Sequence, residues 1–456
     1  MSYTEHLNEL RKSLSIKKDK QGLKHTINKK SPILPFPTRN PERAKFAQGF
    51  NGVTGEFART ISDNKINADV TMDSVIEKIT NKVNPKEEDM PYFVRLVHMF
   101  LSDDLKSMKV FHPHIFQYTP MTSGKEAKGE ANIALFIRDV LLGKDDNVRN
   151  FFAKTEADHL VAKLILDQLD HLENSERENR YHNLIPMISD VFKEDLLYLM
   201  NHREYFIENI HLFLAYYYFF YITQVTLKLN QFQKGTWDTI NEVVYTLDWE
   251  ASSKSRIGYE RGYQRIKESG RHLLVHVNCL EHLNFLFGTT HASGYSDLKQ
   301  QYEKLTVEEQ RDLVQVLRKW IEEYRYHTSL PELDLNDNSY DNLVMKLYQS
   351  INEGITLETK SRYSLSIEEI GKRYFLKTRG VLGYMLNISQ DFLLLLTTIS
   401  VKDKRKSLKD VFKEFERRGI FFDRHSQEAV VQLYDKLNIL DKKSDSGDAQ
   451  YVKPIL

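Results

Sequence analysis

Four residues with metal-binding side chains lie along one predicted helix, in the tract HLLVHVNCLEHLN. His272, His276, Cys279 and His282 follow one another at spacings of four, three and three residues, which places them on one helical stripe. Imidazole and thiolate groups bind zinc well, but this stripe extends for about 15 Å, whereas Zn²⁺ holds its ligands at about 2.1–2.3 Å. The four side chains therefore cannot all reach one ion. We predict that the stripe packs against neighbouring helices and that the chain binds no metal ion or other cofactor.

A second set of residues that can do chemistry is Asp341, Glu358 and Lys360, which has the Asp…Glu-x-Lys order of many metal-dependent nucleases. Such enzymes hold Mg²⁺ with carboxylates and orient water with a lysine. Asp341 opens a predicted helix, however, and does not end a strand. The sequence also lacks a P-loop, HExxH, GxSxG and a GxGxxG after a strand. We therefore predict no catalytic residues, and a metal-dependent nuclease is the alternative.

The most specific pattern lies in the last part of the sequence. QDFLLLLTTISV predicts a helix, KDKRK a basic turn, and SLKDVFKEFERRG a helix that begins at Ser407 and ends at Gly419. IFFD is strand-like, and RHSQEAVVQLYDKLN predicts a third helix capped by Asp423 or Ser426. The tract LDKKSDSGDAQYVKPIL then predicts a hairpin that turns at Gly447. This order is that of a winged helix, a helix-turn-helix variant in which the hairpin is the wing.

A winged helix can contact DNA through its third helix and its basic turns. The residues that could do so here are Lys402, Lys404, Arg405, Lys406, Arg424, His425, Gln427, Gln432, Lys442 and Lys443. The module from residue 389 onward has 13 basic and 11 acidic residues, whereas a dedicated DNA reader is usually more basic. DNA contact is therefore one hypothesis, and a protein-docking or purely structural module is the other.

The elements that would carry these residues are helical. Amphipathic tracts and capping signals such as Thr306-x-x-Glu309 recur from about residue 69 to 385, while strand-like alternation is scarce. The uncharged tract Asn209 to Leu227 is about long enough to cross a membrane, but its tyrosines lie in the middle of the run, so we predict a buried helix and no membrane association.

The expected fold is mainly α, with a multi-helix N-terminal and central body followed by a C-terminal winged-helix domain. The predicted divisions are a basic, proline-rich N-terminal arm over 1–46, a helical domain over 47–235, a second helical domain over 236–388 and the winged-helix domain over 389–456.

Charge is balanced over the 456 residues, with 64 basic and 64 acidic side chains, so no global field requires nucleic acid or membrane as a partner. Residues 1–46 depart from this balance, with eleven Lys or Arg against four Asp or Glu. We expect a flexible or extended segment, which is either an electrostatic arm for DNA or an acidic partner or a solvated tail whose apolar prolines dock on its own domain; the second is favoured. A single cysteine and the lack of an apolar leader favour the cytoplasm.

The tract DWEASSKSR, from Asp248 to Arg256, collects aromatic, acidic, hydroxyl and basic residues between two predicted helices. It is either a partner-binding loop or a linker in which Ser252 and Ser253 cap the next helix.

Three tracts carry a resemblance to a known family. They are FLAYYYFFYITQ, YTLDWEASSKSR and the ending FKEFERRGIFFDRHSQEAVVQLYDKLNILDKKSDSGDAQYVKPIL, distributed from about residue 212 to the end. In these tracts the sequence resembles the DptG (also called DndG) family of DNA phosphorothioation-dependent restriction proteins. The resemblance implies a cytoplasmic subunit of a bacterial antiviral defence system that acts with two partners, the F and H subunits, against DNA lacking the phosphorothioate mark.

The resemblance implies no catalytic motif for this subunit, and it assigns the ATP-dependent motor functions to the partners, which agrees with the missing P-loop. The expected function is that of a non-catalytic adaptor or DNA-contacting subunit. The alternatives are the metal-dependent nuclease subunit of the same system and a purely structural helical scaffold.

Overall fold

The computed structural model of the chain describes residues 2–17, 21–25, 27, 29–30, 32–36, 45–66, 72–101, 109–157, 159–169, 172–250, 256–442 and 450–456. It is mainly helical, as predicted. The helices are α1 (Tyr3–Ser13), α2 (Asn51–Ile61), α3 (Met72–Val83), α4 (Met90–Leu101), α5 (Gly124–Phe136), α6 (Asp146–Ala153), α7 (Leu160–Leu166), α8 (Pro186–Met200), α9 (Arg203–Leu229), α10 (Arg256–Glu260), α11 (Tyr263–Phe287), α12 (Tyr295–Glu303), α13 (Val307–His327), α14 (Tyr340–Gly354), α15 (Leu357–Tyr374), α16 (Gln390–Val401), α17 (Leu408–Arg417) and α18 (Arg424–Lys436). The strands are β1 (Asn64–Lys65), β2 (Glu173–Asn174), β3 (Val244–Leu247), β4 (Leu376–Thr378), β5 (Tyr384–Ile388), β6 (Lys406–Ser407), β7 (Phe421–Phe422), β8 (Leu440–Lys442) and β9 (Gln450–Val452).

The tyrosine-rich tract forms α9, which lies inside the hydrophobic core. Every residue from Phe213 to Leu229 is buried. Buried tyrosine hydroxyls need partners, and two of them find these in neighbouring elements: Tyr217 donates to Asp195 at 2.5 Å, and Tyr221 accepts from the Leu184 amide at 2.7 Å. The prediction of a buried helix is confirmed. Within the described ranges, no helix combines the length and apolar character that a membrane crossing needs.

Within residues 1–46, α1 and residues 32–36 are packed against the body, whereas residues 21–25 are largely exposed. α1 begins with a capping box between Ser2 and Glu5, and it contacts α11 and α13. Leu7, Leu10 and Leu14 are at most 1% exposed. Burial of three leucines at helical spacing stabilises this contact more than solvation of the flanking lysines opposes it. The favoured alternative, a segment docked on its own body, is what α1 and residues 32–36 show.

A four-stranded sheet in the order β4-β5-β3-β7 lies within the helical body. β3 pairs parallel with β5 on one side and with β7 on the other, while β4 and β5 form an antiparallel pair. All four residues of β3 are buried, so this strand has no alternation of apolar and polar residues. The sequence pattern predicts no strand here, because periodicity alone does not separate such a run from a buried helix segment.

The core does not separate at the predicted divisions. One cluster of buried apolar residues includes side chains from Leu7 to Val452, and a smaller cluster lies between α3, α4 and α7. β3 pairs with β5 on one side and with β7 on the other, so strands from both sides of residue 388 lie in one sheet. The four predicted divisions therefore do not correspond to separate hydrophobic cores, and they remain predictions from the sequence.

The C-terminal elements follow the predicted order of two helices, a strand, a helix and a hairpin. Ser407 caps α17, Gly419 follows α17 with a φ of 77°, and Asp423 caps α18 by accepting from the Ser426 amide at 2.9 Å. Ser426 itself lies inside α18. The end of the predicted basic turn forms β6, which pairs with β9, so the sheet order is β6-β9-β8. The predicted turn at Gly447 lies outside the described residues.

Candidate nucleic-acid interface

α18 presents a polar face to solvent and an apolar face to the core. Val430 and Tyr434 are fully buried, and the Tyr434 hydroxyl lies 2.6 Å from Thr397 Oγ1 of α16. On the opposite side, Arg424, His425 and Gln432 are exposed. Three of the predicted DNA-binding residues therefore share one accessible helix face, because the buried anchors fix the rotation of α18 about its axis.

The charge of this face is partly neutralised by α18 itself. Arg424 Nε donates to Glu428 Oε1 at 3.0 Å, and His425 Nδ1 lies 3.9 Å from the other oxygen of Glu428. Gln427, another predicted DNA-contacting residue, is half-buried and donates to the Phe422 carbonyl at 3.3 Å. Gln427 therefore supports the strand-to-helix connection, and the accessible face consists of the other residues.

The predicted basic turn is divided between packed and accessible lysines. Lys402 follows α16 with a φ of 58°, and its ammonium group binds Glu194 of α8. Lys406 Nζ lies 3.3 Å from Glu414 Oε1. These two lysines are paired with carboxylates of the same chain, so they are poor candidates for binding phosphate.

Lys404 and Arg405 face solvent. The guanidinium of Arg405 lies 5.4 Å from the centroid of the Tyr451 ring of β9, an arrangement suited to a cation–π contact. The backbone of Lys442 belongs to β8, while its side chain and all of Lys443 lie outside the described residues. The structure thus brings Arg405 close to β9 of the hairpin, next to the exposed Lys404.

A buried ion pair joins this module to α8. Arg418 donates through Nε and Nη2 to the two oxygens of Asp195, each at 2.7 Å, and both side chains are 0% exposed. Burial alone would lower the pKa of Arg418, but Asp195 raises it above its ordinary value. Tyr216 of α9 also donates to the Arg418 carbonyl. Sequence reasoning missed this joint, since charges in KEDLLY and FERRG look like solvated helix residues.

A second charged joint surrounds the first one at the surface. Glu194 accepts from Arg417 at 2.7 Å and also binds Lys402. Partial burial raises the pKa of Glu194, but the hydrogen bonds from Arg417 and Lys402 outweigh it and lower that pKa to about 2. These contacts hold the ends of α16 and α17 on α8.

The turn after β3 anchors the other end of the module. Asp248 Oδ1 accepts from Lys377 Nζ at 2.6 Å and from Asn387 Nδ2 at 2.8 Å. Partial burial raises the pKa of Asp248, but these hydrogen bonds and the nearby cations lower it overall. Glu250 Oε2 accepts from Ser426 Oγ at 2.7 Å, which ties the first turn of α18 to the carboxyl end of β3. The predicted loop Asp248 to Arg256 is thus in part a structural joint, and Ser252 and Ser253 lie outside the described residues.

Three residues of the predicted stripe on α11, His276, Cys279 and His282, are buried as predicted, whereas His272 is exposed. His276 Nδ1 lies 3.0 Å from the Tyr295 hydroxyl, and its Nε2 lies 3.1 Å from Asn230 Oδ1. His282 Nδ1 accepts from Trp320 Nε1 at 3.4 Å. Burial lowers the pKa of both histidines to about 3. In the part of the chain that the structure describes, no group of three or more His, Cys, Asp or Glu side chains is arranged to hold a metal ion.

The nuclease-like residues each have a separate partner. Asp341 lies in the first turn of α14, as predicted, and binds Lys299 at 2.9 Å. Glu358 pairs with Arg362 one turn further along α15, at 2.6 Å. Lys360 Nζ donates to the Asn352 carbonyl at 2.9 Å. Asp341 lies on a helix, where the nuclease motif requires the end of a strand.

Compared with protein-family models and with curated proteins, the chain matches none of them.

Proposed function

We propose that this chain is a non-catalytic, DNA-contacting subunit of a phosphorothioation-dependent restriction complex that acts on DNA lacking the modification. The observation that carries the proposal is the accessible face of α18, on which Arg424, His425 and Gln432 lie together. Guanidinium, imidazole and amide groups on one exposed helix face can read base edges in the major groove. The resemblance of the C-terminal sequence to DptG proteins supplies the biological setting, with the F and H subunits as partners in the cytoplasm.

In this proposal the C-terminal elements act as a winged helix. α18 is the recognition helix, the β8–β9 hairpin is the wing, and Lys404 and Arg405 contact phosphates beside it. The order of elements and the β6-β9-β8 sheet support this assignment. The Arg418–Asp195 and Ser426–Glu250 contacts hold the module on the helical body at two points. DNA bound by α18 would therefore be held rigidly relative to the helical body.

The test is salt-dependent binding of the purified full-length chain to a 20-base-pair duplex, followed by fluorescence anisotropy. The variant Lys404→Gln/Arg405→Gln removes two exposed charges without touching the buried joints. We expect weaker binding and a salt slope reduced by about 2, because each lost phosphate contact removes about 1 from the slope. The matched control is Lys304→Gln/Lys319→Gln, which removes two exposed lysines near α12 and on α13. Equal slopes for wild type, variant and control would contradict the assigned surface.

A protein-docking module is the second candidate, and one observation favours it. Lys402, Lys406 and Arg424 are paired with acidic residues of the same chain, which lowers the positive charge available to phosphate. If docking is the role, Arg424→Ala/Gln432→Ala weakens assembly with the F and H subunits in analytical ultracentrifugation and leaves duplex binding unchanged. The reverse result favours the DNA-contacting subunit.

A further inference from the structure

Trp249 is an exposed aromatic side chain in the turn after β3. Its exposed fraction is 43%, whereas Trp320 is fully buried and Trp237 is half-buried with its indole N–H bound to Asp297 at 3.0 Å. Placing a large aromatic ring in water forgoes the free energy that its burial would contribute. The exposed Trp249 ring is therefore suited to contact with a binding partner.

The backbone on both sides of Trp249 is held in place. Asp248 is bound by Lys377 and Asn387, as described above. On the other side, the Glu250 amide donates to the Leu247 carbonyl at 3.1 Å. The Glu250 carbonyl accepts from Arg379 Nη1 at 3.1 Å. The indole is thus presented by a turn that is fixed to two strands. A ring held in this way loses little conformational entropy when it binds a flat ligand.

The turn lies beside the proposed DNA surface. Glu250 binds Ser426, whose neighbours Arg424 and His425 are the first exposed residues of α18. In the turn and on α18, Asp248 is paired with Lys377 and Arg424 with Glu428, so these charges are partly offset. An exposed indole can stack on the uncharged face of a nucleobase.

A second exposed apolar side chain lies on the β4–β5 hairpin, which contacts the turn through Arg379. Arg379, which contacts the turn, lies two residues before Val381 at the tip of the β4–β5 hairpin, and Val381 is fully exposed. Gly380 and Gly383 flank the tip with φ values of 55° and 73°, which form a tight connection that projects the valine. Apolar side chains in such positions can separate stacked bases.

We propose that Trp249 stacks on an unpaired base of DNA that is bound by α18, with Val381 against the adjacent base step. The inference rests on the proposed function and deepens it, because it names DNA with a locally opened duplex as the preferred ligand. In an intact duplex both faces of each base are covered by neighbouring bases, so an indole can stack only where a base has left the stack.

The experiment compares three DNA probes: a 20-base-pair duplex, the same duplex with a central three-base bubble, and a bubble whose unpaired positions are abasic. The full wild-type chain is expected to bind the bubble about tenfold more tightly than the duplex, since stacking on one base contributes a factor of roughly 5 to 150. The abasic bubble is expected to bind as the duplex does. Trp249→Ala removes the preference for the bubble and keeps duplex affinity, while Trp249→Phe keeps most of the preference.

Tryptophan fluorescence gives a second readout. Because Trp249 is the exposed indole among the three tryptophans, bubble DNA is expected to quench emission of the wild type, and Trp249→Phe removes that quenching. Circular dichroism melting confirms that each variant folds.

Three results would overturn the inference. Equal wild-type affinity for duplex and bubble leaves the proposed function standing and removes the stacking role. A loss of F or H subunit binding in Trp249→Ala, without any change on DNA, assigns the ring to a protein partner. Absence of binding to every probe overturns both the inference and the proposed function.

Discussion

Arg418 and Asp195 lie where water cannot solvate either charge, so each depends on the other. Replacing one member of such a pair leaves a buried charge without compensation, and this typically costs about 3–5 kcal/mol. Asp195 also accepts the Tyr217 hydroxyl, so its loss affects α9 as well.

We expect Asp195→Asn to lower the free energy of unfolding by about 3–5 kcal/mol in urea titrations. The matched control is Glu194→Gln at the adjacent position, whose side chain is 42% exposed; we expect it to cost less than about 1 kcal/mol, as surface ion pairs do. Similar losses for the two variants would contradict the greater cost expected for breaking the buried pair.

His276 makes the fold sensitive to acid. Burial lowers its pKa from 6.5 to about 3, so below pH 6.5 the unfolded chain binds a proton that the folded chain excludes. Because this folded-state pKa is depressed, the contribution of His276 to stability is intact above about pH 6.5 and falls as the pH drops towards 3.

For His276→Gln, we expect the drop in unfolding free energy between pH 7 and pH 5 to be smaller than in the wild type by about 2 kcal/mol. His425→Gln, on the exposed face of α18, is the control and should keep the wild-type drop. The measurement is urea unfolding at both pH values, and an unchanged drop in His276→Gln would contradict the assigned cause.

At the scale of elements, local signals were predictable and distant pairings were not. The caps at Thr306, Ser407 and Asp423 are read correctly because a cap involves residues three positions apart. β3 escaped detection because its hydrogen-bond partners, β5 and β7, lie far along the chain and its residues are buried on both faces. For the same reason, no local sequence pattern predicts that Glu250 binds Ser426 or that Asp195 binds Arg418.

Gly419, at the end of α17, is required by both backbone and packing. Its φ is 77°, and a Cβ at this position would lie 2.1 Å from an atom of the Phe220 ring. We expect Gly419→Ala to cost more than the roughly 1–2 kcal/mol of a left-handed alanine, because Phe220 or the turn must also move. Gly380→Ala is the control, since its φ of 55° is also positive but its Cβ meets open space. Thermal melts that show equal losses for the two variants would argue against the close approach.

At the scale of the whole molecule, the helical composition and the order of the last elements follow from the sequence, while their union in one core does not. Some residues of the predicted DNA surface have structural contacts within the chain instead. Lys402, Lys406 and Gln427 are held by neighbours within the chain, whereas Lys404, Arg405 and the exposed face of α18 remain candidates. The charge of a residue can be read from the sequence, but the acidic residue of another element that pairs with it cannot.

The purified chain is expected to leave supercoiled plasmid intact in the presence of Mg²⁺ or Mn²⁺. Asp341, Glu358 and Lys360 each have a different partner, which is inconsistent with joint coordination of an ion. The assay is gel electrophoresis of nicked and closed DNA, with Glu358→Ala as the paired sample. Nicking by the wild type that disappears in Glu358→Ala would instead establish the nuclease alternative.

The parallel pairing of β3 has a consequence for how the protein is made. β3 is apolar and buried between β5 and β7, and both of these strands leave the ribosome later. At typical synthesis rates of about 5–20 residues per second, β3 waits roughly 10–35 s for β7. Until β5 emerges both edges of β3 can pair with other nascent chains, and until β7 emerges one edge still can. Production of the protein should therefore depend on chaperones that shield this strand until translation of the C-terminal elements is finished.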